Sequence, residues 1–178
     1  MEMNFSLMLT NRSNIQTNMQ TKNMSQEYLT HYLYPSALFA DPQPHQVTTI
    51  LGTCVAVCIW DPINKIGGIN HYMLPFWNGD GLASPKYGNI AIEKLVQKMI
   101  SMGSSPDYLQ AKIFGGKGGG GDQPSSVYMI GERNITVAKE MLKEYGIPIV
   151  SQSTGGDFGR KLMFFTNTGE VLMKYLKT

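Results

Sequence analysis

The fold class that the sequence predicts is α+β, a layered sandwich of mixed sheets around a central hairpin flanked by helices. Three observations carry it. Residues 54–60 and 66–74 are apolar or β-branched without alternation and flank Asp61-Pro62-Ile63-Asn64. Such a pattern predicts a hairpin in a sheet covered on both faces. Two stretches, near 89–102 and 131–145, have a helical period. The order of strand pairs and helices lacks strict βαβ alternation, which argues against an all-parallel sheet.

In chain order, residues 1–45 are rich in Asn, Thr, Gln, Ser and Met. They read as a polar N-terminal extension, mobile over 1–26 and packing through its aromatics over 28–39. Pro35, Pro42 and Pro44 argue against a long helix there. The domain proper is expected over 46–178. Val47 to Leu51 reads as a short strand ended by Gly52, whose freedom at positive φ suits a sharp turn before Thr53-Cys54. If the hairpin turn is centred between Pro62 and Ile63, paired numbers sum to 125, and Cys54 lies opposite His71. Residues 75–85 form a loop. Ile92, Leu95, Val96 and Met99 give the first helix its stripe, with Gly103 as its stop. A buried strand over 109–114 runs into the glycine-rich stretch 115–121. Ile135, Ala138, Leu142 and Tyr145 form the face of the second helix, with Gly146 as its cap. A strand at 147–152 follows. Residues 161–166 and 170–176 make a hairpin around Asn167-Thr168-Gly169.

Composition excludes several function classes. A formal charge of +2 with scattered basic residues gives nucleic acid no footprint. No apolar run approaches the roughly 20 residues of a membrane span. The N-terminus lacks the basic start and apolar core of a signal peptide, so a cytoplasmic location with reduced thiols is expected. Cys54 and Cys58, four residues apart on one strand, are separated by about 13 Å, beyond disulfide reach. With one histidine they supply at most three metal ligands where zinc takes about four, so no metal is expected.

The chemistry-bearing residues converge on the hairpin. A thiol and an imidazole on facing strands, about 5 Å apart at Cβ, form a nucleophile–base arrangement. On this reading Cys54 attacks and His71 is the base, and their pairing lowers the thiol pKa. Backbone N–H groups at Gly52 and Thr53 are candidates for an oxyanion hole. Thr48 or Thr49 can orient the imidazole. Cys58, deep in the apolar run, reads as core, and His31 and His45 as surface or packing residues. Gly116, Gly118 and Gly121 satisfy G-x-G-x-x-G, but the next helix is expected about ten residues later, so a flexible loop is the better reading than a phosphate cradle.

These residues also resemble a known family. GTCVAVCIWDP and GGINHYMLP, then AKIFGG, IGERN and STGGDFGRKLMF in the same order, are similar to the motifs of CheD, a chemoreceptor glutamine deamidase of bacterial and archaeal chemotaxis. The resemblance spans about 47–176. It implies conversion of receptor glutamines to glutamates, in some members receptor methylesterase activity, and a fold like the catalytic domain of deamidating toxins. Cys54 is then the nucleophile, His71 the general base and acid, and Thr48 the third member. Chemoreceptors are the implied substrate and a CheC-type phosphatase the implied partner. No cofactor is called for, because a covalent thioester replaces metal activation of water. The alternative is a non-catalytic regulatory partner of such a phosphatase, against which the retained Cys54, His71 and Thr48 count. A cysteine protease or peptidoglycan amidase fits the Cys-His pair but not the lack of an export signal.

Overall fold

The computed structural model describes residues 27–118 and 126–177. The predicted mobile stretch 1–26 and the glycines at 119–121 lie outside them. Among the described residues nine strands and two α-helices follow one another: β1 (Leu29–Tyr32), β2 (Ala37–Asp41), β3 (His45–Leu51), β4 (Val55–Asp61), β5 (Ile66–His71), α1 (Gly88–Ser101), β6 (Gln110–Gly115), α2 (Ser126–Glu144), β7 (Ile149–Thr154), β8 (Gly159–Phe165) and β9 (Val171–Leu176). They form a four-stranded sheet ordered β1-β3-β8-β9 and a five-stranded sheet ordered β2-β5-β4-β6-β7. Pairing is antiparallel except for β1 with β3 and β6 with β7, so both sheets are mixed.

The molecule has three layers, and the pleat explains them. Along β4, Val55, Val57 and Ile59 face the helices, joining Ile92, Leu95, Met99, Val137 and Leu142 in one core. The alternate residues Ala56 and Cys58 face the other sheet, meeting Val47, Leu51, Leu162 and Phe164 in a second core. Every residue of β4 but Trp60, and all of β5, is buried. The central, doubly covered hairpin expected from the absence of alternation is what the chain builds.

The hairpin register differs from the expected one. Asp61 pairs with Ile66 and Cys58 with Ile69, so paired numbers sum to 127 rather than 125. The loop holds four residues because Lys65 takes a positive φ of 54° and Asp61 Oδ1 accepts from the N–H groups of Ile63 (2.8 Å) and Asn64 (3.0 Å). His71 therefore lies diagonal to Cys54, not opposite it. A change of two in the sum preserves the face, so both residues still point the same way.

Other boundaries moved for identifiable reasons. β1 and β2 precede the expected domain start and enter separate sheets, and residue 46 falls inside β3. α1 buries the four stripe residues. α2 begins at Ser126, earlier than expected, because Gly131 is an interior residue and not a boundary. The buried face of α2 is Asn134, Val137, Ala138 and Leu142, whereas Tyr145, past the end of the helix, is exposed. Gly52 takes no positive φ, and a Cβ there would meet nothing. Among the described residues no helix is long and apolar enough to cross a membrane.

The contact between helix and sheet is close at Gly68, where a Cβ would lie 2.7 Å from Leu95 Cδ1 and 2.9 Å from Ala40 Cβ. Gly68→Ala should therefore destabilise by about 1–3 kcal/mol through overpacking. Gly52→Ala should change stability by less than about 0.5 kcal/mol. Urea unfolding of both variants checks the contrast; equal midpoints would contradict it.

Candidate active site

The seam between the two sheets carries the polar residues of interest. Cys54 stands just before β4 and packs against the inter-sheet core. His71, at the end of β5, is two residues from Ile69 of that core and shares its face. From the opposing sheet, Thr49 lies between Val47 and Leu51, both inward-facing residues of β3.

Thr49 Oγ1 lies 2.8 Å from His71 Nδ1 and 2.8 Å from the carbonyl of Leu33. A hydroxyl has one hydrogen, and a carbonyl can only accept it. Thr49 therefore donates to Leu33 and accepts from Nδ1–H of His71. The tautomer is thereby assigned, and Nε2 carries the lone pair. Nε2 is buried and has no partner among the described residues. One ring nitrogen is thus engaged by the opposing sheet and the other is unspent.

The third member expected on family resemblance, Thr48, does not make this contact. It is one residue out of phase with Thr49, so its side chain leaves the opposite face of β3, beside half-exposed Ile50. Its backbone carbonyl accepts from Leu33 N–H (2.9 Å), which holds the Leu33 carbonyl over Thr49. His31 stacks on Phe39 with centroids 4.2 Å apart, and His45 packs edge-on against the same ring. Both are packing residues, remote in role from Cys54.

The turn that bears Cys54 is held from behind. The carbonyl of Gly52 accepts from Lys117 N–H (2.8 Å), that of Thr53 from Asn134 Nδ2 (3.1 Å), and that of Cys54 from Gly116 N–H (2.8 Å). With all three carbonyls turned inward, no acceptor among the described residues meets the N–H of Gly52 or Thr53. Gly115, at φ 105°, has no room for a Cβ because the Cys54 carbonyl occupies that space. Gly131 faces the carbonyls of Gly116 and Lys117, to which a Cβ would approach within 2.9 and 2.5 Å. The close backbone approach expected of Gly52 is made by Gly115 instead. Residues 115–118 are thus a packed support rather than a flexible loop.

A further loop backs this support. Gly155 N–H donates to the Gly115 carbonyl (2.9 Å), and Gly118 N–H donates to that of Gly156 (2.9 Å). Arg160 is buried and shapes the loop by donating to Ser153 Oγ (3.0 Å) and to the carbonyls of Phe158 (3.2 Å) and Gly155 (2.8 Å). Between the loops lies a cleft of about 150 Å³ lined by Gly116, Gly118, Gly155, Gly156, Glu132 and Ile135. Gly115, Gly116, Gly131, Asn134 and Arg160 were not singled out as site residues from sequence. The signal available was the motif set itself, together with a polar Asn on the buried stripe of α2.

Electrostatics correct one expectation. Burial pushes the Cys54 thiol above its ordinary value, only partly offset by its own backbone N–H. Burial lowers His71 to about 4. At neutral pH the pair is thiol and neutral imidazole, not thiolate and imidazolium. Cys58, wholly buried, is pushed much further up by the same cause.

A family profile described as "CheD chemotactic sensory transduction" matches residues 73–175. A protein of Sulfurimonas denitrificans named "Probable chemoreceptor glutamine deamidase CheD" is 44% identical over 151 residues, covering 85% of this chain and 97% of its own length. One of the same name from Trichlorobacter lovleyi is 46% identical over 143 residues, covering 80% and 88%. A third, from Caldanaerobacter subterraneus, is 41% identical over 135 residues, covering 74% and 83%.

Two outcomes follow from the protonation states. Alkylation of Cys54 by iodoacetamide should rise with pH with a midpoint above that of a free thiol, and Cys58 should label later still; a Cys54 midpoint below pH 7 would establish a resting ion pair. The second concerns stability. Between pH 6.5 and about 4 the unfolded chain takes up a proton at His71 that the folded chain refuses. This contribution is intact above pH 6.5 and is lost as pH falls towards 4, by up to roughly 3 kcal/mol. Urea titrations at pH 7 and pH 5 should show that loss in the wild type and a smaller one in His71→Gln.

Proposed function

The chain belongs to the CheD family, and on that premise we propose that it deamidates glutamine side chains of chemoreceptors through Cys54 and His71. The observation that carries this reading is the Leu33–Thr49–His71 chain of hydrogen bonds, which leaves the Nε2 lone pair unspent on the face that Cys54 shares. As the Cys54 sulfur forms its bond to the amide carbon, Nε2 takes the thiol proton. The carbonyl oxygen becomes an oxyanion, for which the N–H groups of Gly52 and Thr53 are the nearest candidates. The imidazolium then returns its proton to the amide nitrogen as the C–N bond breaks, releasing ammonia and leaving a thioester. Water, deprotonated by Nε2, attacks the thioester carbon, and the departing sulfur recovers a proton. Glutamate remains, and each turnover adds one negative charge to the receptor.

Because thiol and imidazole are both neutral at rest, proton transfer accompanies attack. Thr49 replaces Thr48 as the proposed third member. Lacking charge, it orients the ring and accepts from Nδ1–H without making the imidazole much more basic. Ester cleavage by the same steps, with an alcohol as leaving group, is the form a receptor methylesterase activity would take. We also infer a cytoplasmic setting, in which Cys54 stays reduced, and a CheC-type phosphatase as partner, on family resemblance. On the same resemblance we infer a fold like the catalytic domain of deamidating toxins.

Mass spectrometry of chemoreceptor cytoplasmic fragments incubated with the protein should record a gain of about 1 Da at particular glutamines, absent with Cys54→Ala. Thr49→Val should lower kcat by about tenfold or more, with Thr48→Val near wild type. No mass gain with any receptor, or one undiminished in Cys54→Ala, would refute the reading. The reverse order of the threonine variants would return the third role to Thr48.

A further inference from the structure

Asn134 lies buried in the interior of α2, where asparagine is a poor helix residue. Its side chain serves two other segments. Both hydrogens of Nδ2 are spent, one on the carbonyl of Thr53 (3.1 Å) and one on that of Met73 (2.9 Å). Since both partners are carbonyls, the amide orientation is settled by the contacts themselves. The Asn134 backbone carbonyl in turn accepts the Tyr72 hydroxyl. Thr53 is the residue before the nucleophile, Tyr72 the residue after the base, and Met73 the next.

These partners stand at the open end of the β4–β5 hairpin. The reciprocal bonds of Val55 and Tyr72 (3.1 and 3.0 Å) form its last rung. Inward from that rung the ladder is already interrupted, because Asn70 Oδ1 takes the Val57 N–H (2.9 Å). Beyond the rung, the segment bearing Cys54 and the segment leaving His71 are joined by the Asn134 amide. Asn134 Oδ1 is buried without a partner among the described residues. An unpaired buried acceptor is destabilising, and the side chain that avoids it fails elsewhere. Leucine would leave two carbonyls bare, and aspartate would set a negative charge against them.

We propose that Asn134 is a positioning residue that sets the separation of the Cys54 thiol from His71 Nε2. Its chemical meaning rests on the deamidase reading, but its test does not. Iodoacetamide is applied at pH 7 to the full chain as wild type, His71→Ala, Asn134→Ala and the double variant. Each single change should slow Cys54 alkylation about tenfold or more by removing assisted deprotonation. The double variant should be no slower than the slower single, because both act on one geometry. Cys58, in the inter-sheet core, should stay unlabelled in Asn134→Ala, reporting an intact fold. Asn134→Ser, which keeps one donor, should be intermediate. On a receptor fragment Asn134→Ala should lower kcat in step with the alkylation rate, with KM within about twofold. Effects that multiply in the double variant, or a wild-type rate in Asn134→Ala, would overturn the proposal. So would labelling of Cys58 in both Asn134→Ala and Asn134→Ser, which would make the residue structural. Failure of the wild type to deamidate any receptor would count against the function alone and leave the alkylation cycle standing.

Discussion

The single hydrogen on the Thr49 hydroxyl is the constraint from which the site follows. It is directed to the Leu33 carbonyl, so the oxygen is left to accept from His71, and the ring has no choice of tautomer. The Leu33 carbonyl is in place because β1 lies parallel to β3 and the chain then turns towards β2 in the other sheet. An imidazole in an apolar seam would otherwise be a liability, with two nitrogens to satisfy and one set of partners. Here one nitrogen is satisfied by the opposing sheet and the other is left open. The hydroxyl that meets the ring comes from across the layer, so the orientation of His71 depends on how the sheets stack and not on either sheet alone.

Cys54 is placed by a different device. Glycines let backbone meet backbone: Gly115 admits the Cys54 carbonyl, and Gly131 admits the carbonyls of Gly116 and Lys117. Side chains are absent where the support is closest, so the turn bearing Cys54 rests on backbone contacts. Arg160 stabilises the outer loop with three donors and, among the described residues, no carboxylate partner, stacking its guanidinium 5.3 Å from the Tyr175 ring. The segments AKIFGG, IGERN and STGGDFGRKLMF contribute Gly115, Gly116, Gly131, Gly155, Gly156 and Arg160 to this backing.

Much of this was legible in the sequence, and the parts that were not have physical reasons. The unbroken apolarity of β4 and β5 announced a strand pair covered twice, and the face shared by Cys54 and His71 survived a register two off because parity is what decides a face. The register itself was missed because it depends on Lys65 adopting a left-handed conformation, which composition does not announce. Thr49 and Thr48 are chemically identical neighbours, and only the phase set by Val47 and Leu51 decides which of them meets the imidazole. β1 and β2 were read as part of a polar extension because each is short and partly exposed, and their stability comes from pairing with distant strands. Gly131 looked like a helix boundary because glycine usually is one, and tertiary contact overrode propensity.

A thiol kept protonated by its surroundings has a consequence outside catalysis. Peroxides, disulfides and electrophilic metabolites all act on the thiolate, and their attack slows as that species becomes scarce. Cysteine enzymes that rest as ion pairs are exposed to this chemistry between turnovers. Burial around Cys54 disfavours its charged form, and burial likewise keeps His71 neutral. Cys58, the other thiol, is sealed between the sheets and too far along the strand to form a bridge with it. The same burial that disfavours the Cys54 thiolate should slow its reaction with oxidants.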